Sequence, residues 1–194
     1  MPLTASTMRM ELGAAAKDFS LRNVMDDREY SLASFRDSRA LVVMFVCNHC
    51  PYVRHVRLGI GTLADDYLPQ GVAFVAINSN DVDNYPQDGP AHMKTFAAES
   101  GWLFPYLLDA TQEVAKAYGA ACTPDFFVFN SEQRLVYRGQ MDDSRPESGK
   151  PVTGADLRAV LDATLSGKPV SKEQKPSVGC NIKWKPGNQP AYAE

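Results

Sequence analysis

Two cysteines set two residues apart, Cys47-Asn48-His49-Cys50, are the part of this chain best suited to chemistry. Such a pair can close a disulfide and pass it to another thiol by exchange. The reaction needs a thiolate, because the thiolate and not the thiol is the nucleophile. The apolar run Ala40–Val46 leads straight into the motif and reads as a buried strand; Pro51 then opens a helical pattern through Tyr67. The first sulfur is therefore expected at a helix N-terminus. Unpaired backbone N–H groups and the positive end of the helix dipole favour a thiolate there. Pro51 suits the first turn, whose N–H has no intrahelical partner.

The elements that must hold this pair can be read outward from it. Before it, Asp18–Leu21 and Glu29–Leu32 are extended pieces joined by turn formers, which predicts a hairpin. After it, Gly71 stops the helix and Val72–Ile77 is a second buried strand. Asn78–Pro90 reads as a long polar loop, and His92–Glu99 has helical spacing with Met93, Phe96 and Ala97 on one face. Phe104–Leu108 is short and extended, and Thr111–Tyr118 is a short helix stopped by Gly119. Thr123-Pro124 precedes a third buried strand, Phe126–Phe129, whose hairpin partner is Leu135–Arg138. Thr153–Leu165 is the last helix, with Thr153 as its cap. From Gly167 onward the periodicity is lost. The organisation expected is one domain over residues 1–166 and an irregular C-terminal tail, 167–194, that packs back on it. Strands alternating with helices predict an α/β fold with a mixed central sheet, helices on both faces and an N-terminal β-hairpin.

Composition excludes several classes. The chain has 194 residues, 44% hydrophobic and 22% charged, and a net charge of −3. It has no basic footprint for nucleic acid. It has no apolar run of about 18 residues, so no membrane partner is expected. Met1–Thr7 lacks a charged-then-apolar leader pattern, and the expected location is cytoplasmic. Four cysteines are too few for a disulfide scaffold, so in a reducing compartment the close pair reads as catalytic or metal-binding rather than structural.

The element order, with Cys-x-x-Cys after the first long strand and Thr123-Pro124 before the third, resembles the thioredoxin fold. The closer likeness is to its alkyl hydroperoxide reductase and thiol-specific antioxidant (peroxiredoxin-like) branch. Asp18-Phe19-Ser20-Leu21, Phe104-Pro105-Tyr106-Leu107-Leu108-Asp109, Val114–Gly119 and Tyr137-Arg138-Gly139 carry that likeness. Phe45–Pro51, Cys122–Phe127 and Gly179–Trp184 resemble the peroxiredoxin-like thioredoxin-family group with a Cys-Asn-His-Cys motif. The resemblance implies a redoxin. Cys47 would attack, Cys50 would resolve, Pro124 would be a cis-proline facing the pair, and Thr123 would offer backbone groups to an extended substrate. It implies thiol–disulfide oxidoreductase activity without a bound cofactor. The partners would be a protein or small-molecule disulfide and an external dithiol reductant; the oligomeric state stays open. Two departures stand out. The peroxidase pattern Pro-x-x-x-Thr/Ser-x-x-Cys is absent: counting back from Cys47 meets Met44 and Ala40, and from Cys50 meets Cys47 and Val43. The acid that thioredoxins bury on the preceding strand is also missing from Leu41–Val46.

Other readings compete. A peroxidase would oxidise Cys47 to a sulfenic acid that Cys50 condenses with. A non-catalytic metal- or protein-binding module would use the same cysteines. Cys47, His49, Cys50 and Cys122 are zinc-type ligands, but no second close-spaced pair exists and no metal is expected. Asn48 and His49 are expected to meet the substrate and tune the pair, with His49 the nearest titratable group between the sulfurs. Cys122 reads either as an additional redox thiol or as a small buried side chain. Cys180 is expected to approach the site if the tail packs back, and would then be, like Cys122, a possible additional redox thiol. Asp81-Val82-Asp83-Asn84 fails as a calcium loop, and Asp142-Asp143 reads as a solvated loop.

Overall fold

The computed structural model describes residues 3–193; Met1, Pro2 and Glu194, which the leader reading and the outer domain bounds include, lie outside the described residues. Strand β4 (Ala40–Phe45) is the centre of the molecule, and all of it is buried. Its sequence has no polar residue because both faces are covered. Ala40, Val42 and Met44 face one hydrophobic cluster, and Leu41, Val43 and Phe45 face another. That alternation is the period of two that a strand imposes.

Seven strands make the main sheet, in the order β3-β2-β6-β5-β4-β8-β9. These are β2 (Ser20–Asn23), β3 (Glu29–Ser31), β5 (Val72–Asn78), β6 (Tyr106–Leu108), β8 (Asp125–Asn130) and β9 (Leu135–Gly139), with β4 in the interior. β4 runs parallel to β5 and antiparallel to β8; β5 and β6 are parallel. The β2–β3 hairpin and the β8–β9 hairpin close the two sides in antiparallel fashion. Helices α1 (Pro51–Tyr67), α2 (Pro90–Glu99) and α4 (Ala155–Leu165) contribute Val53, Ile60, Leu63, Met93, Leu157 and Leu161 to one cluster. The short α3 (Glu113–Tyr118) contributes Val114, Ala115 and Tyr118 to the other. The result is the mixed α/β sheet of the thioredoxin-like fold, with helices on both faces.

The tail departs from expectation. Residues 178–181 form strand β10 (Val178–Asn181), which lies between β1 (Leu3–Ala5) and β7 (Cys122–Thr123) in a second, three-stranded sheet. A strand of four residues is too short to show a period in sequence, so the tail reads as irregular. Ile182 is buried in the same cluster as α3, and Trp184 packs against it.

Two smaller readings are also corrected. The N-cap of α4 is Gly154, with φ 67°, and not Thr153. The start of that helix is held instead by Asp142, whose Oδ2 accepts hydrogen bonds from the N–H groups of Thr153 (2.8 Å) and Gly154 (2.7 Å). Asp142 is therefore buried and not part of a solvated pair; Asp143 is the exposed one and bridges to Lys150. Gly154 cannot cap with a side chain, and a left-handed residue at that point suits glycine.

Candidate active site

β4 ends at Phe45 and α1 begins at Pro51, so the motif fills the turn between them. Cys50, not Cys47, is the N-cap of α1. Its backbone is extended (φ −65°, ψ 122°), and its carbonyl accepts the Arg54 N–H at 2.9 Å. The sulfur at the helix N-terminus is thus the second one. The expectation for the first fails because Pro51 starts the helix three residues later than a thiolate on Cys47 would need.

Both cysteines are buried, Cys47 to 1% exposure. The Cys47 sulfur lies 3.5 Å from the Thr123 hydroxyl. The Cys50 sulfur lies 3.2 Å from the Thr123 carbonyl and 2.9 Å from the sulfur of Cys180. The peptide bond between Thr123 and Pro124 is cis, and Pro124 is buried beside Tyr52 and Val178.

The electrostatics of these sulfurs are set by their neighbours. Hydrogen bonds from the thiols of Cys180 and Cys47 hold Cys50 well below the ordinary thiol value, against its burial, and the Val53 N–H adds to them. Burial pushes Cys47 well above that value, with its hydrogen bond to Cys50 and the charge of Asp88 acting the same way. A protonated Cys50 would donate to the Thr123 carbonyl, which a thiolate would instead face at a cost. The donors to Cys50 outnumber that one acceptor, so the cluster favours a thiolate at Cys50 over one at Cys47. Burial also pushes up Cys122, whose thiol is 4.0 Å from the Pro124 carbonyl.

The residues between the cysteines are held by one buried carboxylate that the sequence reading missed. Asp88 Oδ1 accepts from the backbone N–H of Asn48 (2.8 Å) and of His49 (3.2 Å). Its Oδ2 pairs with His49 Nδ1 at 2.6 Å and accepts from Asn80 at 2.8 Å. Burial alone would raise this carboxyl; the hydrogen bonds from His49 and Asn80, with the Asn48 N–H, carry it below its ordinary value. The His49 ring stacks on Tyr85, with centroids 5.6 Å apart and planes 7° from parallel. The Asn48 side chain is spent internally: it accepts from the Tyr106 hydroxyl at 3.0 Å and donates to the Gln87 carbonyl at 3.0 Å. Asn48 lines the same groove as His49, with its amide held by these two bonds. His49 is partly exposed and lines a groove of about 300 Å³ with Arg54, Arg57, His92 and Glu99.

Thr123 is also occupied. Its backbone stands opposite Cys180 in the β7–β10 register, so the edge expected to meet an extended substrate is already paired within the chain. As for metals, Cys47, His49 and Asp88 bring ligand atoms within 4.8 Å of one another. Both Asp88 oxygens already accept from donors, so an ion there would have to replace the His49–Asp88 hydrogen bond.

A second buried acid lies close by. Asp125, the first residue of β8, has an Oδ1 without a hydrogen-bond partner among the described residues. Burial pushes its carboxyl up to about 8. The signal for it was visible in sequence, as an acid wedged between Pro124 and the apolar run Phe126–Phe129. Asp88 had no such signal: it sits some forty residues from the motif inside a polar loop and reaches it only through the fold.

Comparison with known proteins agrees with this geometry. The chain is 25% identical over 132 residues to the thiol-disulfide oxidoreductase ResA of Geobacillus thermodenitrificans, covering 67% of this chain and 71% of that protein. An uncharacterized conserved protein from Geobacillus kaustophilus has a solved structure that matches with a TM-score of 0.94 and 56% identity, over 96% of this chain and 98% of that one. A hypothetical protein from Sinorhizobium meliloti 1021 matches with a TM-score of 0.92 and 52% identity, over 95% and 100%. The family model described as Redoxin matches residues 11–157. A strand-to-helix cysteine pair, a cis-proline loop packed beside it and this match agree: the chain belongs to the Redoxin family of thiol-based redox proteins.

Proposed function

We propose that the protein is a thiol–disulfide oxidoreductase in which Cys47 carries the mixed disulfide and Cys50 resolves it. The observation that carries this reading is the asymmetry of the pair: Cys50 is the sulfur surrounded by donors at the N-terminus of α1. Exchange runs faster when the departing sulfur is the one with the lower pKa. A substrate thiolate attacking Cys47 of the oxidised pair would expel Cys50. In the other direction, a mixed disulfide on Cys47 would be resolved by Cys50, whose thiolate the Cys180 thiol and the Val53 N–H favour. In either direction one S–S bond forms as another breaks.

Cys47 is 1% exposed, so a substrate reaches it only when the residues around it move. The groove beside His49 is where a substrate would approach. The partners are a protein or small-molecule disulfide and an external dithiol that returns the pair to its starting state. The distant relation to ResA supports this class of reaction.

The test is reduction of a protein disulfide such as insulin, with an external dithiol as the electron source. The wild-type protein should accelerate it, and Cys47→Ser and Cys50→Ser should each abolish the acceleration. Absence of acceleration together with rapid hydrogen peroxide consumption would replace this reading with the peroxiredoxin-like peroxidase. Both activities absent, with metal retained after purification without chelator, would replace it with a binding module.

A further inference from the structure

Strand β10 is built into the site from both of its ends. Its partner in register opposite Thr123 is Cys180, and opposite Cys122 is Asn181. A Cβ on Gly179 would lie 1.9 Å from the Thr123 carbonyl oxygen, so only glycine lets β10 approach the cis-proline loop this closely. On the N-terminal side, Ser6 and Ser177 hold each other through two hydrogen bonds, 2.8 Å and 3.1 Å. On the C-terminal side, Ile182 N–H donates to the Ala121 carbonyl (3.0 Å) and Lys183 N–H to Asn80 Oδ1 (2.8 Å). Gln112, buried and left-handed at φ 67°, donates to the Lys183 carbonyl at 2.9 Å and accepts from the Lys185 N–H at 2.9 Å. These contacts fix one side chain against the redox pair: Cys180, 3% exposed, with its sulfur 2.9 Å from that of Cys50. Cys122 is the neighbouring candidate, and its thiol points to the Pro124 carbonyl instead.

We propose that Cys180 is a third redox thiol, which takes Cys50 out of the Cys47–Cys50 disulfide and stores the oxidised state as Cys50–Cys180. The inference rests on the reading of Cys47 and Cys50 as an exchanging pair. The Cys180 thiolate attacks the Cys50 sulfur. The Cys50–Cys180 bond forms, the Cys47–Cys50 bond breaks, and Cys47 leaves as a thiolate that takes up the proton Cys180 gave up. One disulfide is consumed and one is made, so no electron is gained or lost and no further reagent is needed. The consequence is a free Cys47 in a chain that is still oxidised. Cys47 can then engage a second substrate while the disulfide waits on β10.

The test is disulfide mapping of the full chain. Reduced protein is oxidised with diamide, the remaining thiols are alkylated, and the peptides are identified by mass spectrometry. Cys47→Ser should form Cys50–Cys180 and leave Cys122 alkylated, whereas Cys47→Ser/Cys180→Ser should form no internal disulfide. Wild-type protein should yield both Cys47–Cys50 and Cys50–Cys180 peptides. A Cys47→Ser protein that keeps all its thiols, beside a wild type that forms Cys47–Cys50 alone, would overturn the proposal and leave the exchanging pair intact. Loss of every internal disulfide in the wild type would overturn both. If Cys47→Ser fails to fold, the wild-type map decides alone: absence of a Cys50–Cys180 peptide sinks the proposal.

Discussion

Asp88 binds the His49 ring at 2.6 Å and, through its other oxygen, the Asn48 N–H at 2.8 Å, so one carboxylate fixes the backbone and the side chain between the two cysteines. It is fully buried, and its oxygens accept from donors on two separate segments. Removing the charge from a buried group of this kind leaves donors unpaired and costs about 3 kcal/mol.

Asp88→Asn is therefore expected to lower unfolding stability by about 3 kcal/mol, read from urea midpoints. It should also loosen the cover over Cys47, so that a bulky aromatic disulfide reagent reacts faster with the variant than with the slow-reacting wild type. The pH dependence has a definite sign. The folded carboxyl lies below its ordinary value, so its stabilisation is present above about pH 4 and is lost as pH falls through the folded value. An Asp88→Asn protein with unchanged stability and unchanged thiol reactivity would show that the carboxylate does not hold the turn.

Gly179 makes a second prediction. The 1.9 Å approach to the Thr123 carbonyl is to backbone, so no side-chain rotation relieves it. Gly179→Ala should push β10 off β7 and cost about 1–3 kcal/mol, the usual range for overpacking. Cys180 should then become alkylated in the native protein, where the wild-type thiol is protected. Wild-type protection of Cys180 in Gly179→Ala would mean that β10 is held by its flanks and not by this contact.

The reach of the sequence follows from how local each signal is. β4 announced itself because Ala40–Phe45 is apolar on both faces, and Thr123-Pro124 stood out as a dipeptide before the next apolar run. Cys47 and Cys50 were legible because their spacing is itself the signal. The position of the helix start was misread: Pro51 has no N–H and fits only the first turn, so it marks a start just after Cys50 and leaves Cys47 outside the helix. The strand β10 was lost for want of length. Asp88 and the Cys50–Cys180 contact span |i−j| of 40 and 130, and no periodicity or motif encodes pairings of that range.

The charge on Cys50 depends first on Cys180, and that gives a third prediction. Cys180→Ala removes a thiol donor while leaving a small apolar side chain in its place. The Cys50 thiolate, followed by its ultraviolet absorbance in a Cys47→Ser background, should titrate well below an ordinary thiol in the parent. It should move toward the ordinary value of about 8.5 when Cys180 is replaced. An unchanged titration would assign the effect to the helix N-terminus and the Val53 N–H.

Asp125 carries the last prediction, with the opposite sign to Asp88. Its folded carboxyl is raised to about 8, whereas an unfolded one titrates at about 3.9. Between those values the folded chain holds a proton that the unfolded chain has released, so stability falls as pH rises. The contribution is fully present below about pH 4 and is lost as pH passes through about 8. Cys50 works against it over the same range, because a depressed thiol makes stability rise with pH up to the ordinary thiol value. The wild-type profile mixes the two, so the informative quantity is the difference between wild type and Asp125→Asn. Urea midpoints from about pH 5 to about pH 9 should move in favour of the variant by several kcal/mol, on the order expected for a buried carboxyl. A difference that does not change with pH would show that Asp125 is ionised inside the fold, with a donor to its Oδ1.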